Sequence, residues 1–154
     1  MRLLHLQLRF NKLPKMAQIP NLYLREYRSR DCWKFSYVFT LDDDRRNWVR
    51  RFAILGSSST SRRLLVYQDH ESDQILAQIA LDDHQLRLGL CNDIIDACLG
   101  THIHLNINIA FAIVCQAQPS PQTSHVFLCP TETERNKWVS LIERVKFIPR
   151  MMLE

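Results

Sequence analysis

The sequence predicts a mainly β domain: a seven-stranded antiparallel barrel or orthogonal sandwich capped by one C-terminal α-helix. Three observations carry this. From Trp33 onward apolar residues recur at every second position through most of the chain, the period of a strand that buries one face. Turn signals separate these stretches at intervals of roughly ten residues, as in antiparallel barrels and sandwiches. One stretch near the C-terminus, "TETERNKWVSLIERVKF" (131–147), changes to helical spacing.

"WKFSYVFTL" (33–41) alternates Trp33, Phe35, Tyr37, Phe39 and Leu41 with mostly smaller or polar residues. "DDDRRN" (42–47) makes a polar hairpin loop, and "WVRRFAIL" (48–55) is the returning strand, followed by Gly56 and a serine-rich turn. "RLLVYQD" (63–69), "QILAQIALDD" (74–83) and "LRLGL" (86–90) supply the third, fourth and fifth strands. From Ile103 to Ile113 apolar residues hold period two against His104, Asn106, Asn108, Ala110 and Ala112. That pattern reads as one long half-buried antiparallel strand. "QAQPSPQTS" (116–124) is a loop and "HVFLCP" (125–130) the seventh strand.

The helix is marked at both ends. Thr131 and Glu134 have capping-box spacing, and Glu132 places negative charge near the N-terminus. Trp138, Leu141, Ile142 and Val145 form one apolar stripe, and Pro149 stops the helix after Arg144 and Lys146. A barrel of this kind has an open end, and the helix is expected to close it with Trp138 in the mouth. Residues 1–30, broken by Pro14 and Pro20, read as an N-terminal extension or linker. The domain then spans 31–148, with 149–154 as a tail.

Composition narrows the function. A chain of 154 residues, 46% hydrophobic and 23% charged, is one globular domain. Five cysteines without a CxxC pair argue against a zinc site or a disulfide framework and for a reducing compartment. His5, Gln7 and Arg9 interrupt the N-terminal leucines before a signal-peptide core forms, and no run reaches the ~18 apolar residues of a membrane helix. A soluble intracellular domain is expected. Residues 1–68 hold 14 Lys and Arg against 5 Asp and Glu, whereas 69–154 hold 6 against 11. This polarity suggests a face that seeks anions: lipid headgroups, nucleic acid or an acidic protein.

"WVRRFAILGSSSTSRRLLVYQD" and "HVFLCPTETERNKWVSLIERV" together resemble the pleckstrin homology (PH) family. The first looks like its second and third strands, the second like its seventh strand and tryptophan-bearing helix. "FLCPTETERNKWVSLIE", "NDIIDACLGTH" and "WVRRFAIL" are most similar to the PH domains of citron kinase and the Rho-associated and myotonic-dystrophy-related kinases. The resemblance implies a PH-like fold and a non-catalytic membrane- or cortex-targeting module of a Rho-pathway protein, cytoplasmic and peripheral at the membrane. The implied partners are anionic lipids, with phosphoinositides as weak ligands, and small GTPases or cytoskeletal proteins. A protein-interaction scaffold that has lost the lipid cup is the alternative.

Many family members bind phosphoinositides in a cup formed by the first three strands. Arg51 matches the family's final cup arginine and Tyr67 its third-strand tyrosine. Val49 stands where the first basic residue of the pair is expected, Tyr37 or Thr40 where a first-strand lysine is, and Leu76 where some members place another arginine. Asp42, Asp43 and Asp44 would repel a phosphate. Arg45, Arg46, Arg50, Arg51, Arg62 and Arg63 remain as a diffuse cationic surface for anionic membrane. Arg45 and Arg46 could instead neutralise the adjacent aspartates.

No cofactor is expected. His102 and His104, with His84 or Asp83, have spacing that a metal could use, but solvent-facing strand histidines are commoner. Ser57 to Ser61 lack the glycines of a nucleophile elbow, and Gly56, Gly89 and Gly100 are too scattered for a phosphate loop. Asp42 to Asp44 read as a hairpin tip rather than a cation site, and the cysteines as small core residues. Specific nucleic-acid binding is not expected, because Phe52, Phe111, Phe127 and Trp138 are predicted to face inward, away from the arginines.

Overall fold

The computed structural model describes residues 32–57, 62–100, 105–116 and 119–147. Seven strands run β1 (Cys32–Leu41), β2 (Trp48–Ser57), β3 (Arg62–Tyr67), β4 (Ile75–Ala80), β5 (Leu86–Gly89), β6 (Ala110–Cys115) and β7 (Ser124–Leu128). They form one antiparallel sheet in the order β4-β3-β2-β1-β7-β6-β5. Strand β1 joins its two halves. It pairs with β2 along its length, but with β7 only at Phe39–Leu128 among the described residues. Val38, Leu55, Leu64 and Ile79 of one half share a core with Phe111, Ile113 and Phe127 of the other. Helix α1 (Asn92–Leu99) precedes β6, and helix α2 (Glu132–Phe147) ends the described chain.

The terminal helix is built as its sequence requires. The Thr131 hydroxyl accepts the Glu134 backbone N–H at 3.1 Å, satisfying one donor of the first turn. The Glu134 carboxylate does not complete the box; it pairs with Lys34 Nζ at 2.5 Å and ties the helix to β1. Trp138 is fully buried, and its indole N–H donates to the Ser36 hydroxyl at 2.9 Å. A large apolar ring and its one polar atom are thus both accommodated. Val139, Ile142 and Val145 complete the buried stripe, with Leu141 at its edge.

Four features depart from the sequence reading. No element was expected between "LRLGL" and the sixth strand, yet α1 lies there. It buries Ile95, Cys98 and Leu99 against Ala110, Ala112, Val114, Val126 and Leu128, on the side of β6 and β7 away from the main core. Helix and sheet approach closely because β5 ends in glycine: a Cβ on Gly89 would lie 2.5 Å from Ile94 Cγ2. Secondly, the alternation from Ile103 is not one long strand. Ile107–Ile109 form a 3-10 turn, in which Asn106 Oδ1 accepts the Asn108 N–H at 3.0 Å, and β6 begins at Ala110. The asparagine side chain offers the backbone a local partner in place of the ladder. Nor is β6 half-buried, since its alanines face α1.

Thirdly, Phe52 and Ile54 do not point into the main core. Ser36, Val38, Ala53 and Leu55 do, and the small Ser36 and Ala53 leave volume for Trp138. Phe52, Ile54 and Tyr37 form a second cluster on the outer face of β1–β3, beside Phe35, Leu65 and Tyr67. Fourthly, the cysteines are all unpaired, but only Cys98 and Cys129 are core residues, and Cys91 is exposed. Burial pushes the Cys129 thiol up to about 12, with Glu134 adding to the shift. Expectations for residues 1–30, Ser58 to Ser61, His102, His104 and the tail fall outside the described residues.

Candidate functional site

The end of the sheet that carries the β1–β2 and β6–β7 loops holds a polar concavity. Asp42 shapes its first rim. Its carboxylate accepts the Arg46 N–H at 3.0 Å, the Asn47 N–H at 3.3 Å and the Asn47 side-chain amide at 3.1 Å. These bonds hold its pKa below the usual carboxylate range. Asp42 is therefore a turn-former more than a ligand-repelling charge. Arg45 follows in the left-handed region at φ 59°. Its guanidinium donates to Cys98 O at 2.8 Å, near the C-terminus of α1, and to Pro121 O at 3.2 Å in the β6–β7 loop. One side chain thus links three segments of the rim.

Beside this staple opens a cleft of about 440 Å³. Thr40, Asp43, Arg51, Leu76, Ser124 and His125 line it with Arg45. Arg51 reaches it because it alternates with Phe52 along β2 and takes the inner face, opposite Val38 of β1. Its guanidinium makes no hydrogen bond or ion pair among the described residues, so it is the cation available to a ligand. His125 is exposed overall, yet desolvation of its ring lowers its pKa and favours the neutral imidazole. Ile75 and Leu76, 45% and 43% exposed, put two large apolar side chains at the start of β4, beside the cleft.

The structure does not gather the sequence-predicted arginines. Arg51 and Arg45 line the cleft, and Arg46 is exposed on its rim. Neither Arg45 nor Arg46 forms an ion pair with Asp42, Asp43 or Asp44. Arg50 projects from the opposite face of β2, its guanidinium 4.5 Å from the Tyr37 ring centroid, an attractive cation–π distance. Arg62 lies at the far end, donating to Lys146 O at 3.2 Å, and Arg63 is exposed beside it on β3. Tyr67 belongs to the outer-face cluster, not the cleft. Sequence reasoning missed Ser124 and His125. Period two along β7 places Val126 and Leu128 opposite Phe127, but nothing local says that the strand's first residues flank Arg51.

A seven-stranded antiparallel sheet with a C-terminal helix packed against its core, opening on a polar cleft, frames the site. The chain belongs to the PH domain family, whose profile matches residues 34–147. PH domains are generally non-catalytic modules for lipid or protein binding. Among solved structures the chain is similar to the PH domain of human KIAA0053 protein, with TM-score 0.56, 17% identity, and 77% of this chain and 91% of that one covered. It is also similar to the carboxyl-terminal PH domain of pleckstrin, with TM-score 0.54, 16% identity, and 75% and 97% covered. The same pleckstrin domain in complex with D-myo-Ins(1,2,3,5,6)P5 matches with TM-score 0.54, 17% identity, and 75% and 95% covered. No curated protein matches the chain. No helix among the described residues is long and apolar enough to cross a membrane.

Proposed function

We propose that this domain is a membrane-targeting module that sets its cleft against an anionic bilayer. The observation that supports the reading is the pairing of unpartnered Arg51 with exposed Leu76 in one cleft, with Ile75 beside it. A guanidinium takes a phosphate oxygen as a charge-assisted donor, while neighbouring aliphatic side chains rest at the headgroup boundary. Arg46 adds diffuse attraction of up to about 1 kcal/mol for a basic residue near an anionic surface. Asp43 opposes the ligand, so contact is weak and weakly selective among headgroups. Arg62 and Arg63, at the far end, stand outside this contact. The similar pleckstrin domain was solved with an inositol pentakisphosphate, which is compatible with an anion-binding cleft here.

Sedimentation with phosphatidylserine or phosphoinositide vesicles tests this. Wild-type protein should bind anionic but not neutral vesicles, and more weakly as salt shortens the Debye length from ~10 Å at 0.1 M. Arg51→Glu and Leu76→Ser should each weaken binding, while Arg63→Glu should change it little. Failure to bind anionic vesicles at low salt would sink the proposal.

A scaffold role is the second reading. Phe147, 75% exposed, flanks a second cleft of about 370 Å³ lined by Leu81, Leu88 and Lys146 at the other end of the molecule. An apolar side chain there favours a protein contact. We further propose, from the three kinase-like segments alone, that the module serves a Rho-pathway protein at the cell cortex, with a small GTPase or cytoskeletal protein as partner. Pull-down with purified GTPases in both nucleotide states tests that assignment, and no binding in either state removes the GTPase.

A further inference from the structure

Strand β4 ends the sheet on one side, and among the described residues it pairs with β3 alone. The ladder fixes which of its backbone groups face away. The Leu81 N–H donates to Arg62 O at 2.8 Å, so by alternation the N–H and C=O groups of Ile79 and Ala77 also turn to β3. The N–H and C=O of Gln78 and the N–H of Ala80 turn outward, and both residues are exposed. Open edges are usually guarded by a charged side chain, a proline or a bulge. The run Ile75–Leu81 holds no charge and no proline, and its register shift lies at the start, where Tyr67 meets Ile75. The opposite edge differs: β5 has four residues and ends at Gly89, in close approach to Ile94 of α1. Charge instead gathers on the flanks of β4. From Leu64 to Leu86 the chain has no Lys or Arg, but it carries Asp69, Glu71 and Asp73 before the strand and Asp82 and Asp83 after it.

We propose that the β4 edge is a docking surface for an extended segment of another protein, uncharged at its centre and carrying Lys or Arg at both ends. The centre adds a strand to the sheet through Gln78 and Ala80, and the basic ends meet the acidic flanks. A second copy of the same edge fits poorly. Antiparallel pairing would set Asp73 of each copy toward Asp82 and Asp83 of the other, and parallel pairing would align acid with like acid. Like charges opposed across strands are destabilising. The membrane contact and the peptide use different groups of β4: the side chains of Ile75 and Leu76 in the first, the backbone of Gln78 and Ala80 in the second.

Fluorescence anisotropy on the full chain tests the docking, with a labelled peptide of alternating valine and threonine between lysine pairs as probe. It should bind at least about tenfold more tightly than its counterpart with glutamate pairs. A version methylated at every central amide should not bind, because its ladder donors are gone. Hydrogen exchange should be fast at the Gln78 and Ala80 amides alone and slow once peptide is added. Gln78→Pro, a change that an edge position tolerates, should lose the peptide while β6 and β7 stay protected. Equal binding of the lysine and glutamate peptides, or binding indifferent to methylation, would overturn the proposal even if Gln78→Pro does not fold. Protection of Gln78 and Ala80 without peptide would also overturn it, because the edge would then be covered by another part of the chain or by a second copy.

Discussion

Trp138 and Ser36 form a polar contact between side chains at the centre of the core, and they contribute unequally. Trp138→Ala removes the largest fully buried side chain and should cost on the order of 3–5 kcal/mol through lost burial and a cavity. Ser36→Ala leaves the ring in place but strands its N–H, and should cost about 1–3 kcal/mol. Urea denaturation separates the two, and equal losses would contradict the packing described. His125 yields a pH prediction. Its pKa is lowered in the fold, so as pH falls through the unfolded value near ~6.5 the unfolded chain takes up its proton first. This contribution to stability is complete above that pH and declines below it, until the folded imidazole is also protonated. A bound phosphate reverses the preference, because it attracts the imidazolium alongside Arg51 and Arg45 and against Asp43. Vesicle binding should strengthen between pH 7.5 and 5.5, and His125→Gln should flatten the profile. A wild-type profile already flat would remove His125 from the site.

At the scale of the element, the strands and α2 were legible because each carries its own period, and α2 its own cap. Helix α1 was not. Its eight residues span barely two turns, too few for a 3.6-residue period to stand out beside strand-like neighbours. The sign of its presence was Gly89, a glycine inside a strand, which marks the close approach of another segment. Gly89→Ala drives a Cβ to 2.5 Å from Ile94 Cγ2 and should destabilise by about 1–3 kcal/mol. Ile94→Ala in the same chain should recover part of that loss, and a double-mutant cycle measures the coupling. Additive losses would mean that α1 does not sit where Gly89 admits it. The face assignment of β1 and β2 failed for a different reason. In β2 both sets of alternate residues carry apolar side chains, so periodicity gives two answers; in β1 the bulkier set, Phe35 and Tyr37, faces outward, and the small Ser36 takes the inner face, where it meets Trp138.

Over the whole molecule, the basic first half suggested one cationic surface, but adjacent strand residues point to opposite faces. Arg50 and Arg51 are neighbours in sequence, yet one covers Tyr37 outside and the other lines the cleft. Charge counted along the chain could therefore locate Arg51 but could not assemble the site around it. The narrow join between the sheet's halves has a mechanical meaning. Strand β1 meets β7 at Phe39–Leu128 alone among the described residues, so under tension that rung gives little resistance to shear. The clasp is α2, fastened to β1 by Lys34–Glu134 and Ser36–Trp138. Pulled from its two ends in an optical trap, the domain should yield first by release of this helix, and only then should the halves part. The force at which it opens is thus set by one helix rather than by seven strands.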